Sequence, residues 1–349
     1  MRIGIITFHW ATNYGAILQA YALQNYLLEL GHDVEIINYR PQRNIFLQRL
    51  TWIRNREWGN FKKEKELKTF RKSNLSVGSK IYGSNRALRS MKEKYDIIIS
   101  GSDQVWNLSF IQYAERNKQT YSYYLDFVSG ETKKVAYAAS FGTSKLPFEN
   151  KKNIREKLTG FHAISVRECT AKTIVEDLGL EAKVVFDPTL LLKKEKYELL
   201  CSPQKKDGGM VVYKLHGNQK LFEKVEKHLS ERIKTYKVQP EMSIPDWLGS
   251  IKSADLVLTN SFHGTVFSIL FKIPFINVLV EGSDMNDRII TLLSSLGLEN
   301  RCLQKYDEKS IEELRVTPIG WEKVDQKLEV LKGEAKDFLL SVIDGNDAK

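Results

Sequence analysis

The stretch from Ser243 to Val280, SIPDWLGSIKSADLVLTNSFHGTVFSILFKIPFINVLV, constrains the fold of this chain more than any other. Ile244, Trp247, Leu248 and Ile251 recur at helical spacing, and Asp255–Thr259 is a short apolar run, as expected of a strand buried on both faces. Asn260-Ser261-Phe262-His263-Gly264 falls where that strand ends. Thr265–Lys272 then reads as a core helix stopped by Pro274, and Phe275–Val280 supplies the next strand. In open parallel sheets ligands bind outside the carboxyl ends of strands, where loop amides and a helix N-terminus favour an anion. His263 either adds charge to such a site or caps its own loop, and Gly264 is also explained by a tight turn. This stretch alone predicts an anion site and no reaction.

The rest of the chain repeats the pattern. Arg2–Phe8 reads as a strand, His9–Gly15 as its loop, Ala16–Leu30 as a helix closed by Gly31, and Val34–Asn38 as the next strand. The loop lacks GxGxxG, having only Gly15, so no nicotinamide or flavin cofactor is expected and the cofactor expectation is none. His9 and Asn13 offer hydrogen bonds instead, to a ligand or within the loop. Tyr95–Ser100 is a third strand, followed by Gly101–Asn107, in which Asp103 is either a base for a substrate hydroxyl or an N-cap. Lys134–Ser140 leads into the polar loop Ser140–Thr143. His162–Val166 is followed by Arg167, which either pairs with Glu168 or Asp187 or clamps an anionic ligand. Lys183–Phe186 closes this half.

Residues 191–209 are Lys-rich, with Pro203 and Gly208-Gly209, and are expected to link an N-terminal domain, 1–190, to a C-terminal domain, 210–349. The second half opens with Met210–Leu215, His216-Gly217-Asn218 and the helix Gln219–Leu229, and ends in a long helix over 321–343. The order predicts an α/β protein of two Rossmann-like, doubly wound domains facing a cleft. A length of 349 residues agrees with two domains.

Three scattered cysteines suggest neither a disulfide framework nor a zinc site, and no HxH or DxD pattern points to a metal. The N-terminal apolar run is too short for a signal sequence, and nothing approaches a membrane span. The expectation is therefore a cytoplasmic protein, peripheral at the inner face of the membrane if it touches lipid at all. The net charge of +10 is concentrated in an excursion over 40–94, which holds 16 Lys or Arg against 4 Asp or Glu. No zinc-finger spacing, RNP motif or recognition helix accompanies it, so nucleic acid is not an expected partner. Phe46, Leu47, Leu50, Trp52, Ile53, Trp58 and Phe61 lie among the basics. They either touch anionic lipid or pack on their own domain.

Taken in order, Asn13-Tyr14-Gly15-Ala16, Leu18–Leu23 (LQAYAL), Ser100–Asn107 (SGSDQVWN), Ser165-Val166-Arg167-Glu168, Asp187-Pro188-Thr189 and Thr259–Gly264 (TNSFHG) make the chain resemble the polysaccharide pyruvyl transferase family over about residues 1–280. The resemblance implies a GT-B-like fold, with the acceptor on the N-terminal side and the donor on the C-terminal side. It implies transfer of a pyruvyl group from phosphoenolpyruvate to a sugar, or a lipid-linked glycan, of a surface polysaccharide, forming a ketal. It places His263 at the donor phosphate and as a general acid, Asp103 as the acceptor-side base, and His9 in a supporting hydrogen bond. Arg167, Asn13, Ser140, Asn260, Ser261 and the Gly264-Thr265 helix start are expected to bind substrate. Family members often carry Arg where this chain has Ser261, so Arg167, Lys214 or Arg288 is expected to complete the phosphate site, or the donor preference differs. The competing expectations are a GT-B glycosyltransferase using a nucleotide sugar and a non-catalytic module that docks on a membrane.

Overall fold

The computed structural model describes residues 1–41, 49–111, 120–203, 208–215 and 219–344. The expectations for Phe46 and Leu47 and for His216-Gly217-Asn218 lie outside the described residues. The chain divides into two compact units: unit 1 is Met1–Leu192 with the chain from Leu331 onward, and unit 2 is Lys193–Val330.

Unit 1 is built on a six-stranded sheet ordered β2-β1-β3-β4-β5-β6, from β1 (Arg2–Ile6), β2 (Asp33–Ile36), β3 (Ile97–Asp103), β4 (Lys133–Ala139), β5 (Ala163–Val166) and β6 (Lys183–Val184). Every pairing is parallel, so the central strands are covered on both faces and read as unbroken apolar runs. Helix α1 (Tyr14–Glu29) follows β1; the Asn13 side chain accepts from the Ala16 amide, and Gly31 leaves the helix at φ +85°. The basic excursion contains α2 (Trp58–Asn74), which buries Leu67, Phe70 and Arg71. Trp52 packs inward on Phe61, whereas Leu50, Ile53 and Trp58 stay exposed.

Unit 2 repeats the topology with five parallel strands ordered β11-β10-β9-β7-β8: β7 (Met210–Tyr213), β8 (Thr235–Lys237), β9 (Leu256–Thr259), β10 (Phe275–Val278) and β11 (Cys302–Leu303). Helix α3 (Ile244–Lys252) precedes β9, α4 (Phe262–Leu270) joins β9 to β10, and α5 (Asp287–Leu296) follows β10. In both sheets the strand order reverses beside the first strand, between β1 and β3 and between β7 and β9. Such a reversal is where a doubly wound sheet opens a ligand crevice at its carboxyl edge.

Two expected boundaries are corrected. Most of the expected linker 191–209 belongs to unit 2: Lys194–Glu198 is helical, and Tyr197 is buried against Phe267 with ring centroids 5.0 Å apart. The C-terminal helix α6 (Trp321–Asp344) begins in unit 2 and ends in unit 1, so 210–349 is not one domain. Its last turns carry Ala335, Phe338, Leu339 and Val342, a buried helical stripe in which Phe338 meets Tyr137 of β4. Lys133 also donates to the Val342 carbonyl at 3.3 Å.

Candidate active site

In unit 2 the expected donor residues gather at the exit of β9, the reversal point of that sheet. Ser261 is the N-cap of α4, its Oγ accepting from the Gly264 amide at 3.3 Å, and the Thr265 amide already donates to the Ser261 carbonyl at 3.1 Å. The helix therefore begins at Phe262. The expectation that the Gly264 and Thr265 amides bind the donor is corrected, because both are spent inside the helix. Gly264 has a packing role: a Cβ there would lie 2.6 Å from Thr259 Oγ1 and 3.1 Å from Tyr213 Cδ1. The Thr265 hydroxyl donates to the Ser261 carbonyl and accepts from Asn277. Asn260 ties two loops together, accepting from the Leu215 amide at 2.7 Å and donating to Gln219. All four are buried: Thr265 is 0%, Asn260 and Ser261 1%, and His263 8% exposed. His263 stands in the first turn of α4, where the aligned peptide dipoles favour an anion.

The three candidate cations separate clearly. The Arg288 guanidinium, from the first turn of α5, lies 5.8 Å from the Phe262 ring centroid, and Phe262 is itself edge-on to His263 at 5.1 Å. Lys214 is drawn away into an ion pair with Glu223 at 2.9 Å. Arg167 belongs to unit 1 and is committed there.

In unit 1 the sequence motifs converge on one buried network at the carboxyl ends of β3 and β5. Arg167 Nη1 donates to Asp187 Oδ2 at 2.9 Å, Nη2 donates to Asp103 Oδ1 at 3.3 Å, and Glu168 Oε2 lies 3.8 Å from Nε. Burial pulls the Arg167 pKa down, but Asp103, Asp187 and Glu168 outweigh it and hold the guanidinium above its ordinary value. Asp187 also accepts from Thr189 and from Ser102 Oγ. Gln19, on α1, donates to Thr7 Oγ1 at 2.7 Å and accepts from the Ser102 amide at 3.0 Å. Asp103, the last residue of β3, has φ +81° and is no N-cap; its side chain is 16% exposed, against 0% for Asp187 and 4% for Glu168. Arg167 is thus the centre of a carboxylate-rich cluster, not a clamp for an anion. Ser140 is fully buried and its Oγ accepts from the Gly142 amide at 3.1 Å, so it shapes the loop beside Asp103.

His9 and Asn13 are likewise corrected from substrate contacts to internal ones. His9 is 0% exposed, with Nδ1 3.2 Å from the Thr7 carbonyl and Nε2 3.4 Å from Asn38 Oδ1. Burial, reinforced by the charge of Arg40, lowers its pKa to about 3, so the ring is neutral at physiological pH. The Asn13 side chain is occupied as the cap of α1.

The decisive comparison is at the level of the family. A model of the polysaccharide pyruvyl transferase family matches residues 13–282, most of the chain. The chain belongs to the polysaccharide pyruvyl transferase family. A search of curated proteins gives no match. Among solved structures, a candidate UDP-N-acetylglucosamine 2-epimerase from Listeria monocytogenes is similar at TM-score 0.56 and 10% identity, covering 100% of this chain and 97% of that one. UDP-GlcNAc 2-epimerase from Neisseria meningitidis, bound to UDP-GlcNAc, gives 0.52 and 8%, covering 99% and 100%. Anabaena HepE, in complex with UDP and glucose, gives 0.50 and 10%, covering 98% and 100%. At these identities the likeness is one of fold, and the two parallel-sheet α/β units make this pyruvyl transferase family member GT-B-like.

The pairing of Arg167 with Glu168 and Asp187 was among the sequence expectations, whereas Gln19 and Ser102 were missed as members of the same network. A signal for Gln19 was present: it sits among Ile17, Leu18, Ala20 and Ala22 on the apolar first half of the helix. Among the described residues, no group of three His, Cys, Asp or Glu is arranged to hold a metal, and no helix is long and apolar enough to cross a membrane.

Proposed function

We propose that the protein transfers the pyruvyl group of phosphoenolpyruvate to two hydroxyls of a polysaccharide sugar or its lipid-linked precursor. The observation that carries this reading is the placement of His263 in the first turn of α4, with Arg288 packed on the neighbouring Phe262. A helix start, an imidazole and a guanidinium suit a donor with both phosphate and carboxylate. They supply charge where Ser261 departs from the family's arginine. In the reaction His263 holds the donor phosphate and delivers a proton to the methylene carbon. The carbon bearing the phosphate becomes electrophilic, one sugar hydroxyl adds, phosphate leaves, and the second hydroxyl closes the ketal. One hydroxyl proton balances the new methyl group and the other leaves with phosphate. Asp103, the most exposed carboxylate of the Arg167 network, is the acceptor-side base. The protein acts in the cytoplasm. Exposed Leu50, Ile53 and Trp58, flanked by Arg49, Arg54 and Arg56, rest on the anionic face of the membrane that carries the acceptor.

The test is titration of the purified protein with phosphoenolpyruvate and, as control, a UDP-sugar, followed by phosphate release with acceptor. Phosphoenolpyruvate should bind, and His263→Ala and Arg288→Gln should each weaken it roughly ten- to a hundredfold, the loss of one charge-assisted contact. Tight UDP-sugar binding with none of phosphoenolpyruvate would replace this reading by nucleotide-sugar chemistry.

A further inference from the structure

A second polar cluster in unit 1 has the opposite charge balance from the Arg167 network. It lies behind the loop that follows β1, beside the strand-order reversal. Arg71 of α2 pairs with Glu64, whose other oxygen accepts from Thr12 Oγ1 at 3.1 Å. Arg40, which follows β2, donates through Nε to Asn38 Oδ1 at 2.7 Å, the same oxygen that faces His9. Lys63 places Nζ 4.0 Å from the ring centroid of Tyr14, at the first turn of α1. Glu64 is the one carboxylate paired within this group, and neither Arg40 nor Lys63 has an ion-pair partner among the described residues. The Arg71 side chain is 6% exposed, and its Nη1 is buried without a hydrogen-bond partner among the described residues.

Arg40 and Arg71 face one carboxylate, Glu64, and leave an uncompensated charge of about one, while Lys63, on the same helix as Arg71, adds a second desolvated cation beside Tyr14; a bound anion relieves such an arrangement. Titration agrees with the geometry. Burial lowers the Lys63 pKa to about 8, and burial followed by the nearby Arg71 lowers that of Arg40, with Glu64 opposing. We propose that Arg40, Lys63 and Arg71 form a phosphate-binding subsite at the carboxyl edge of β1 and β2, taking a phosphate or diphosphate group. Two planar guanidinium forks match phosphate oxygens, and the ammonium adds a point charge. The charge argument stands alone; assigning the phosphate to the acceptor, as on a lipid-linked diphosphate sugar, rests on the pyruvyl-transfer reading.

Calorimetric titration of the full chain with pyrophosphate, and separately with phosphoenolpyruvate, tests it. Wild-type protein should bind pyrophosphate. Arg40→Gln and Lys63→Gln should each weaken it roughly ten- to a hundredfold, Lys63→Arg should retain it, and Arg288→Gln should not change it. Phosphoenolpyruvate affinity should show the reverse sensitivity, which assigns the phosphate to the acceptor. If phosphoenolpyruvate affinity instead falls in Arg40→Gln and Lys63→Gln but not in Arg288→Gln, the subsite stands as the donor's and the donor assignment at His263 fails. Absence of pyrophosphate binding, or unchanged affinity for both ligands in folded Arg40→Gln and Lys63→Gln proteins, overturns the proposal.

Discussion

Replacing Arg167 by Ala separates a charge that holds unit 1 together from one that holds a ligand. The guanidinium is 1% exposed and meets Asp187 at 2.9 Å, Asp103 at 3.3 Å and Glu168 at 3.8 Å. Its removal leaves three carboxylates without their shared cation, two of them buried. Breaking a buried ion pair by deleting one partner costs about 3 to 5 kcal/mol, more than the roughly 1.5 to 3 kcal/mol of one charge-assisted ligand contact. The loss should appear locally, because the network ties the carboxyl ends of β3 and β5. Hydrogen exchange of Ile97–Asp103 and Ala163–Val166 should accelerate by roughly two to four orders of magnitude, while β9 and β10 of unit 2 keep their protection. Adding Asp187→Asn to Arg167→Ala should recover part of the loss by removing one unpaired charge, a coupling of order 0.5 to 3 kcal/mol. Arg167→Ala with protection within tenfold of wild type, together with a large drop in phosphoenolpyruvate affinity, would refute this reasoning and make Arg167 a ligand contact.

Because His9 titrates near 3 when folded and near 6.5 when unfolded, the unfolded chain binds more protons between those values, so stability falls as pH drops from about 6.5. At pH 4.5 His9 alone should cost about 3 kcal/mol, and denaturant titrations of His9→Asn should show a correspondingly flatter acid limb. Gly264→Ala should destabilise by about 1 to 3 kcal/mol despite alanine's better helix propensity, since the methyl meets Thr259 Oγ1, and thermal or urea unfolding of unit 2 reads it directly. Flotation with anionic vesicles should carry the wild-type protein at low salt and release the variant with Arg49, Arg54 and Arg56 changed to Gln and Trp58 to Ser; a wild type that stays in the soluble fraction refutes membrane docking.

The alternation of apolar runs and polar exits made both sheets legible, because a parallel strand covered on two faces has no polar option except at its ends. The same logic located the exits at Asp103, Arg167 and His263. It did not show how each side chain is occupied. Glu168 adjoins Arg167 in the chain, but Asp103 and Asp187 are far from it, and the parallel pairing of β3, β4, β5 and β6 brings them to the same guanidinium. His9 and His263 are the same residue type at strand exits, yet His9 is 0% exposed between Thr7 and Asn38, and His263, at 8%, stands in the first turn of a helix. That difference lies in tertiary packing. The helix start was misplaced because a serine cap draws α4 back over Phe262 and His263, which loop composition alone does not specify. The two-residue β11 left no periodic signature long enough to read, and the pattern that gave the long helix over 321–343 carries no sign of which unit its last turns pack on.

The charge balance of the acidic centre in unit 1 bears on which substrate it would meet in the proposed reaction. A donor with phosphate and carboxylate is repelled by a site where three carboxylates surround one arginine, whereas a sugar presents neutral hydroxyls and needs a group that accepts a proton. In the proposed reaction Asp103 takes that part: Arg167 and the Gln104 amide fix one of its oxygens, and its residual exposure is the highest of the three. Asp187 and Glu168 hold the arginine, and the arginine holds Asp103 in place. Exchange of Asp103 for Asn keeps the shape and removes the base, so turnover should fall by roughly 10² or more while phosphoenolpyruvate affinity stays the same. Loss of donor affinity with turnover at saturating donor preserved would instead make the acidic centre part of the donor site, against its charge.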